Sequence, residues 1–307
     1  MKVIEFEKLK AGEISRSAFT VGAFDGVHLG HREIFRRLVA GARQKKLTPL
    51  AITFQPLPRE VFGKKQGAIA ILSSEERKRR IESCGIKALL VINFTRAFAK
   101  KSAKDFMDEV REKLNPELMV IGHDFRFGKE KSADESWIKK YCGRFGMELK
   151  VVNAVRIDGQ PVSSSRIRAL LKAGELEAVT RVSGEPYQLE GEVVAGHHRG
   201  KKMGVATANL IWKKELLVPT GIYVAWAGFN REPWPAVINI GYSPTFGDKQ
   251  LGIEAHLLGF SRELYGKNLR LSLLKRLRDE IKFPDVPALT DQIKKDIAEA
   301  KAWLGIK

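Results

Sequence analysis

The chain has 307 residues, 44% hydrophobic and 29% charged, a balance that argues against disordered, collagen-like and coiled-coil classes and suits two domains of ~100–200 residues each. Fifty-four Lys and Arg against 36 Asp and Glu leave +18 in all: residues 1–186 carry 36 basic and 23 acidic groups (+13), residues 187–307 carry 18 and 13 (+5). Such a field gathers anions, whether phosphorylated small molecules or nucleic acid.

The opening Met1–Lys10 is charged, with no apolar stretch behind it, and no run of about 18 apolar residues follows anywhere. Cys84 and Cys142 show neither disulfide nor metal-ligand spacing. A soluble, cytoplasmic protein without a membrane partner is expected.

From Ala18 to about Ala173, strand-like runs alternate with helical patterns. The strands are expected at Ala18–Val21, Pro49–Phe54, Ala88–Asn93, Leu118–Ile121 and Leu149–Val152. The helices are expected at Gly30–Gln44, Ser74–Cys84, Ser102–Leu114, Ala133–Tyr141 and Ser164–Ala173. Ser73 with Glu76, and Ser102 with Asp105, have capping-box spacing. This alternation predicts a doubly wound parallel sheet, with ligands at the carboxyl ends of its strands.

After Gly184-Glu185-Pro186 the segments become short and rich in β-branched and aromatic residues. They are Gln188–Val194, Ala206–Ile211, Gly221–Ala227, Ala236–Ile240, Gly252–Leu258 and Asn268–Leu274. A compact antiparallel β-barrel is expected, followed by a C-terminal helix over Pro287–Leu304 with Leu289, Ile293, Ile297, Ala300 and Leu304 on one face. The domains are read as 1–182 and 187–307.

Val21-Gly22-Ala23-Phe24-Asp25-Gly26-Val27-His28-Leu29-Gly30-His31 joins the first long strand to the first long helix. Its glycines allow close backbone approach, and the helix start offers free N–H groups to a phosphate. His28 and His31, three apart, face one side of a helical turn and can donate to one phosphate. Neither GxxxxGK[ST] nor GxGxxG is present, so a nucleotide site of another kind is required.

The segment resembles the FDGVHxGH signature of the HxGH nucleotidyltransferases, which transfer adenylyl groups from ATP. Val120–Gly128 resembles the GxDFRFG motif and Val162–Arg168 the SSTxIR motif of the adenylyltransferase half of bifunctional bacterial riboflavin kinase/FAD synthetases. This resemblance implies nucleotide binding by Gly22, Phe24, Asp25, Gly26, Gly30, Asp124, Ser164 and Ser165, with His28, His31 and Arg168 stabilising charge at the reacting phosphate. One departure stands out: the family's TF[D/E]PHP motif is Thr53-Phe54-Gln55-Pro56-Leu57-Pro58 here. A neutral amide is a poor ligand for a hard cation, which implies slow FAD synthesis if that carboxylate matters.

Gly196–Leu210 resembles the riboflavin kinase signature GxxRGRxLGFPTAN, with Val205 and Ala206 replacing Phe and Pro. Here the resemblance implies Gly200, Lys202 and Gly204 for nucleotide and Thr207 and Asn209 for Mg²⁺. Asn239–Phe246 and Ile253–Leu258 resemble NIGxxPTF and VEVHLLDF, which implies Glu254 as the general base toward the ribityl 5′-hydroxyl. His256, on the same strand face, is its rival. Leu277–Phe283 resembles RxExKF and implies flavin binding by Arg278 and Glu280.

The whole implies two activities: phosphorylation of riboflavin to FMN by Mg·ATP, and adenylylation of FMN to FAD with release of pyrophosphate. Small-molecule partners are expected and nucleic acid is not. Two alternatives stand beside this reading. One is a riboflavin kinase with a weakened or regulatory amino-terminal domain; the other is a basic nucleic-acid-binding protein on a nucleotidyltransferase-like fold.

Overall fold

The computed structural model describes residues 1–63, 69–194, 207–210, 212, 216–229, 232–242 and 251–306. The chain divides into two compact units, Met1–Arg166 and Ile167–Lys307.

In the first unit the strands β1 (Lys2–Glu5), β2 (Ser17–Val21), β3 (Thr48–Gln55), β4 (Ala88–Asn93), β5 (Pro116–Gly122) and β6 (Glu148–Val152) form one sheet in the order β1-β4-β3-β2-β5-β6. Every pairing in it is parallel. The helices are α1 (Leu29–Lys45), α2 (Pro58–Phe62), α3 (Ser74–Ser83), α4 (Ala103–Leu114) and α5 (Glu135–Arg144); a two-stranded ribbon, β7 (Arg156–Ile157) and β8 (Gln160–Pro161), precedes α6 (Ser164–Ala173). All five residues of β2 are buried, as expected of an inner parallel strand covered on both faces, and this makes it legible as an unbroken apolar run.

The strand β1 is absent from the sequence expectation. It is a short edge strand with Lys2, Val3 and Glu5 exposed, so it carries no apolar run to detect. On one face of the sheet Phe19, Leu50, Ile52, Leu90 and Met119 pack with Phe106, Met107, Val110 and Leu114 of α4 in a single core; full burial of each such side chain contributes about 1.5–3 kcal/mol. Ser73 and Ser102 cap α3 and α4 by accepting from the N–H groups of Glu76 and Asp105, each at 3.1 Å. The return half of the expected Ser73–Glu76 box gives way to a stronger interaction. The Glu76 carboxylate is held by Arg79 and Arg80 at 2.6 and 2.7 Å, because two guanidinium groups outcompete one backbone N–H for a buried charge.

In the second unit α6 leads to α7 (Leu176–Ser183). The strands β9 (Tyr187–Val194), β10 (Ala208–Leu210), β11 (Gly221–Phe229), β12 (Glu232–Tyr242), β13 (Leu251–Leu257) and β14 (Asn268–Arg278) then close a barrel in the order β10-β13-β12-β11-β14-β9, and α8 (Val286–Leu304) follows. All its pairings are antiparallel, and pairing of β9 with β10 closes the ring. The interior takes alternate residues such as Ile238, Ile240, Ile253, Ala255, Leu271 and Leu273, all fully buried. Along α8, Leu289, Ile293, Ile297 and Leu304 are half-buried and Ala300 is buried, as the spacing predicts. Asp296 is buried among them, which the spacing does not predict.

Candidate active sites, one in each unit

In the first sheet β3 and β4 lie on one side of β2, and β5 and β6 on the other. The connections that leave β2 toward β3 and β5 toward β6 therefore diverge, opening a crevice at the carboxyl ends of these two strands, where parallel α/β sheets bind ligands. A cleft of about 1230 Å³ lies there, lined by the turns after Val21 and after Gly122.

The turn after β2 is tightly wound, with Phe24, Gly26 and Val27 at φ +46°, +94° and +41°. His28 ends it as the N-cap of α1: its Nδ1 accepts from the His31 N–H at 3.3 Å. That bond leaves the proton of a neutral His28 on Nε2, as a free donor. The two imidazoles stack, with centroids 3.6 Å apart and planes 16° from parallel. A Cβ on Gly30 would sit 3.2 Å from the His28 ring, so glycine is what lets that ring lie flat against the helix start. Burial lowers the pKa of His28 to about 4, against a partial opposing pull from Asp124. His31 is held well below the ordinary range by burial and by the neighbouring His28. Its Nδ1 is buried and makes no hydrogen bond among the described residues. Two neutral imidazoles at the positive end of a helix suit a polyanion.

The other expected residues take distinct positions. Gly22, Phe24, Gly30, Asp124 and Ser164 line the cleft with His28 and His31. The Asp25 carboxylate turns inward to accept from the Ile71 N–H at 2.8 Å, and the Asp25 carbonyl accepts from the Ser164 hydroxyl at 2.7 Å. Asp25 and Gly26 thus brace the turn. Ser165 is exposed on α6, and Arg168 is buried four residues past Ser164 on that helix. Gln55 is off the cleft lining, its side-chain oxygen accepting from Ser74 Oγ at 2.8 Å and Arg77 Nη2 at 3.1 Å, while Phe54 and Pro58 of the same motif line the cleft.

An aromatic wall was not read from the sequence. Phe54, Phe62, Phe94 and Phe98 line the cleft, with the Phe94 ring centroid 5.3, 6.0 and 5.7 Å from those of Phe54, Phe62 and Phe98. They come from β3, α2 and the segment after β4, so no local periodicity betrays them. Arg96, Lys100, Lys101, Arg126, Lys129 and Lys131 also line the cavity.

In the barrel, strand register assembles the second site. Glu254 on β13 pairs with Asn209 on β10 and with Asn239 on β12. Asn239 pairs in turn with Ile222, and Ile222 with Arg278. Directly paired residues share a face, so Asn209, Glu254 and Asn239 stand in one row on the outer face, opposite the buried Ile253 and Ala255. His256 shares that face but stands beside Val237. Asn209 is buried, and Thr207 lies half-buried just before β10. Gly200, Lys202 and Gly204 lie outside the described residues.

Glu280 folds over Gly241 so closely that a Cβ there would overlap its carboxylate. Burial raises the pKa of Glu280, Glu254 adds to the rise, and hydrogen bonds with Thr220 and the Tyr242 backbone oppose it. Arg278, expected at the flavin, holds Asp296 of α8 through Nε at 2.9 Å and Nη2 at 2.6 Å. Among the described residues no group of three or more His, Cys, Asp or Glu gathers to hold a metal. The oxygens of Thr207 and Asn209 are the hard neutral donors that suit Mg²⁺, which takes few protein ligands and keeps waters and substrate phosphates.

The FAD synthetase family model matches residues 11–166 and the riboflavin kinase family model residues 183–304. The bifunctional riboflavin kinase/FMN adenylyltransferase of Bacillus subtilis (strain 168) is 36% identical over 294 residues, covering 94% of this chain and 92% of its own. This chain belongs to the bifunctional riboflavin kinase/FMN adenylyltransferase family. The Escherichia coli (strain K12) protein of the same description is 30% identical over 289 residues, again 94% of this chain and 92% of its own. A solved structure described as a macrolide-efflux protein from Streptococcus pneumoniae is 28% identical with a TM-score of 0.89, over 99% of this chain and 100% of that one. Among the described residues here, no helix is long and apolar enough to cross a membrane.

Proposed function

We propose that this family member makes FAD from riboflavin in two steps, one per unit. The barrel transfers the γ-phosphoryl of ATP to the flavin 5′-hydroxyl, giving FMN and ADP. The amino-terminal unit joins FMN to AMP from a second ATP, giving FAD and pyrophosphate. The observation that carries the reading is that two separate constellations exist: the stacked His28 and His31 at a parallel-sheet crevice, and the Asn209–Glu254–Asn239 row on a barrel. Residues 1–182 and 187–307 are taken as the two functional domains.

In the kinase, Glu254 accepts the hydroxyl proton as the 5′-oxygen bonds to the γ-phosphorus and the bridge to the β-phosphate breaks. Thr207 and Asn209 would hold Mg²⁺, which when bound neutralises phosphate charge. Arg278 and Glu280 belong to the flavin side, and Gly200, Lys202 and Gly204 to the nucleotide. The row favours Glu254 over His256, because Glu254 has Asn209 beside it whereas His256 has Val237.

In the adenylyltransferase, an FMN phosphate oxygen bonds to the α-phosphorus as pyrophosphate leaves, so no proton need move. His28 donates from Nε2, and the start of α1 stabilises charge in the transition state. Ser164, Ser165 and Arg168 are assigned to the triphosphate, and Asp124 to the nucleotide. The aromatic wall suits a flat isoalloxazine ring by stacking. The positive field serves these polyanions rather than nucleic acid, and the unbridged cysteines Cys84 and Cys142 suit a reducing cytosol.

Incubation with riboflavin, ATP and Mg²⁺, followed by chromatography of the flavins, tests the reading. FMN and then FAD are expected; absence of FMN defeats the kinase assignment, and FMN without FAD defeats the adenylyl assignment. Glu254→Gln is expected to stop FMN formation and spare FMN-to-FAD conversion. His28→Ala is expected to do the reverse, lowering adenylylation by roughly 10²–10³-fold.

A further inference from the structure

The barrel row contains a polar atom that the two-step reading leaves unused. The side-chain oxygen of Asn239 is buried and accepts no hydrogen bond among the described residues. Its cross-strand neighbours are Glu254 on one side and Ile222 on the other, and Ile222 has nothing to donate. A buried acceptor left unsatisfied is a net cost to a fold, and such atoms in native structures call for an explanation.

Position along the row indicates what this oxygen receives. Asn209 and Asn239 flank Glu254 on opposite strands, each about 4.5–5.5 Å away at Cβ. With Thr207 and Asn209 on the phosphate side, the oxygen that Glu254 deprotonates must lie in line with the γ-phosphorus. The rest of the ribityl chain then leaves Glu254 on the side of Asn239, and that chain carries a hydroxyl on each of the next three carbons.

We infer that Asn239 is a substrate-positioning residue of the kinase, its side-chain carbonyl accepting a hydrogen bond from the ribityl 4′-hydroxyl, next to the oxygen that is phosphorylated. The inference rests on the assignment of Glu254 as base and of Asn209 to the nucleotide side. It makes Asn239 a determinant of specificity for flavins with an intact polyol chain, since a site built to pair a hydroxyl discriminates against an analogue lacking it.

The test uses the full chain and Asn239→Leu, which keeps the side-chain volume and removes the unsatisfied oxygen. Equilibrium titration by flavin fluorescence is expected to show riboflavin binding weakened about tenfold, with Mg·ADP affinity unchanged. Riboflavin lacking the 4′-hydroxyl is expected to bind wild type and variant equally, because the interaction is already gone. The melting temperature is expected to hold or rise; a structural role would lower it, and FMN-to-FAD conversion reports folding of the rest. Unchanged riboflavin affinity, loss of Mg·ADP affinity instead, or a lowered melting temperature overturns the inference. If Glu254→Gln still makes FMN, the reading of the row fails and takes this inference with it. If Glu254→Gln is inactive and Asn239→Leu binds riboflavin normally, this inference alone fails.

Discussion

His28 Nδ1 accepts from the backbone N–H of His31, and the two rings stack 3.6 Å apart. His28 is therefore a helix cap whose tautomer is set by the capping bond, which puts the proton of the neutral ring on Nε2. Burial accompanies this arrangement and keeps both rings neutral near pH 7.

That burial carries a stability signature. Folding lowers the pKa of His28 from the ordinary 6.5 to about 4, so between these values the unfolded chain binds more protons than the folded one. Stability therefore rises with pH across that window and levels off above it. Acidification from pH 7 to pH 4 is expected to remove about 3 kcal/mol through His28. Thermal melts of wild type and His28→Gln across pH 4–7 check this: the variant should show the shallower dependence, and parallel curves contradict it.

Gly30→Ala sets two effects against each other. Alanine near a helix start gains about 0.5–1 kcal/mol over glycine, but its Cβ would press on the His28 ring at 3.2 Å. The melting temperature is expected to move by no more than a few degrees while FMN adenylylation falls about tenfold or more, since small misplacements at a reacting centre are costly. Riboflavin phosphorylation should be unchanged.

Asp296→Ala leaves the guanidinium of Arg278, whose side chain is 20% exposed, without its bidentate partner. A loss of about 3 kcal/mol is expected in denaturant unfolding. The double variant Arg278→Leu/Asp296→Leu should recover much of it, because a buried ion pair is often replaceable by apolar groups whereas half of one is not. Failure of the double variant to recover would mean that Arg278 serves more than α8.

Gln55→Glu tests whether the altered motif weakens the amino-terminal unit. The Gln55 side chain is fastened to Ser74 and Arg77, away from the cleft. Steady-state FMN adenylylation is expected to stay within about threefold of wild type, with the new carboxylate pairing with Arg77. A gain of tenfold or more would show that the carboxylate works in the reaction.

Much of the architecture was legible because each strand has a simple reason to look like one. The strands β2, β3 and β5 are covered on both faces and read as apolar runs, and β4 matches its expected bounds, Ala88–Asn93. The barrel strands alternate, as one buried face demands. Edge strand β1 and the short ribbon β7–β8 bury too little apolar surface to leave a pattern. Helix starts with a serine cap were readable at Ser73 and Ser102, but the partners of Glu76 were not.

Sequence alone determined the order of the two units, the loop between β2 and α1 and its histidine pair, and the alternation that turns Glu254 away from Ile253 and Ala255, since each depends only on neighbours along the chain. Tertiary structure decided the rest. Strand register set Asn239 beside Glu254, sheet order opened the cleft between the ends of β2 and β5, and packing of α8 took Arg278 for Asp296. Those relationships join residues 15 to about 100 positions apart, and local propensity holds no record of which distant strand becomes a neighbour.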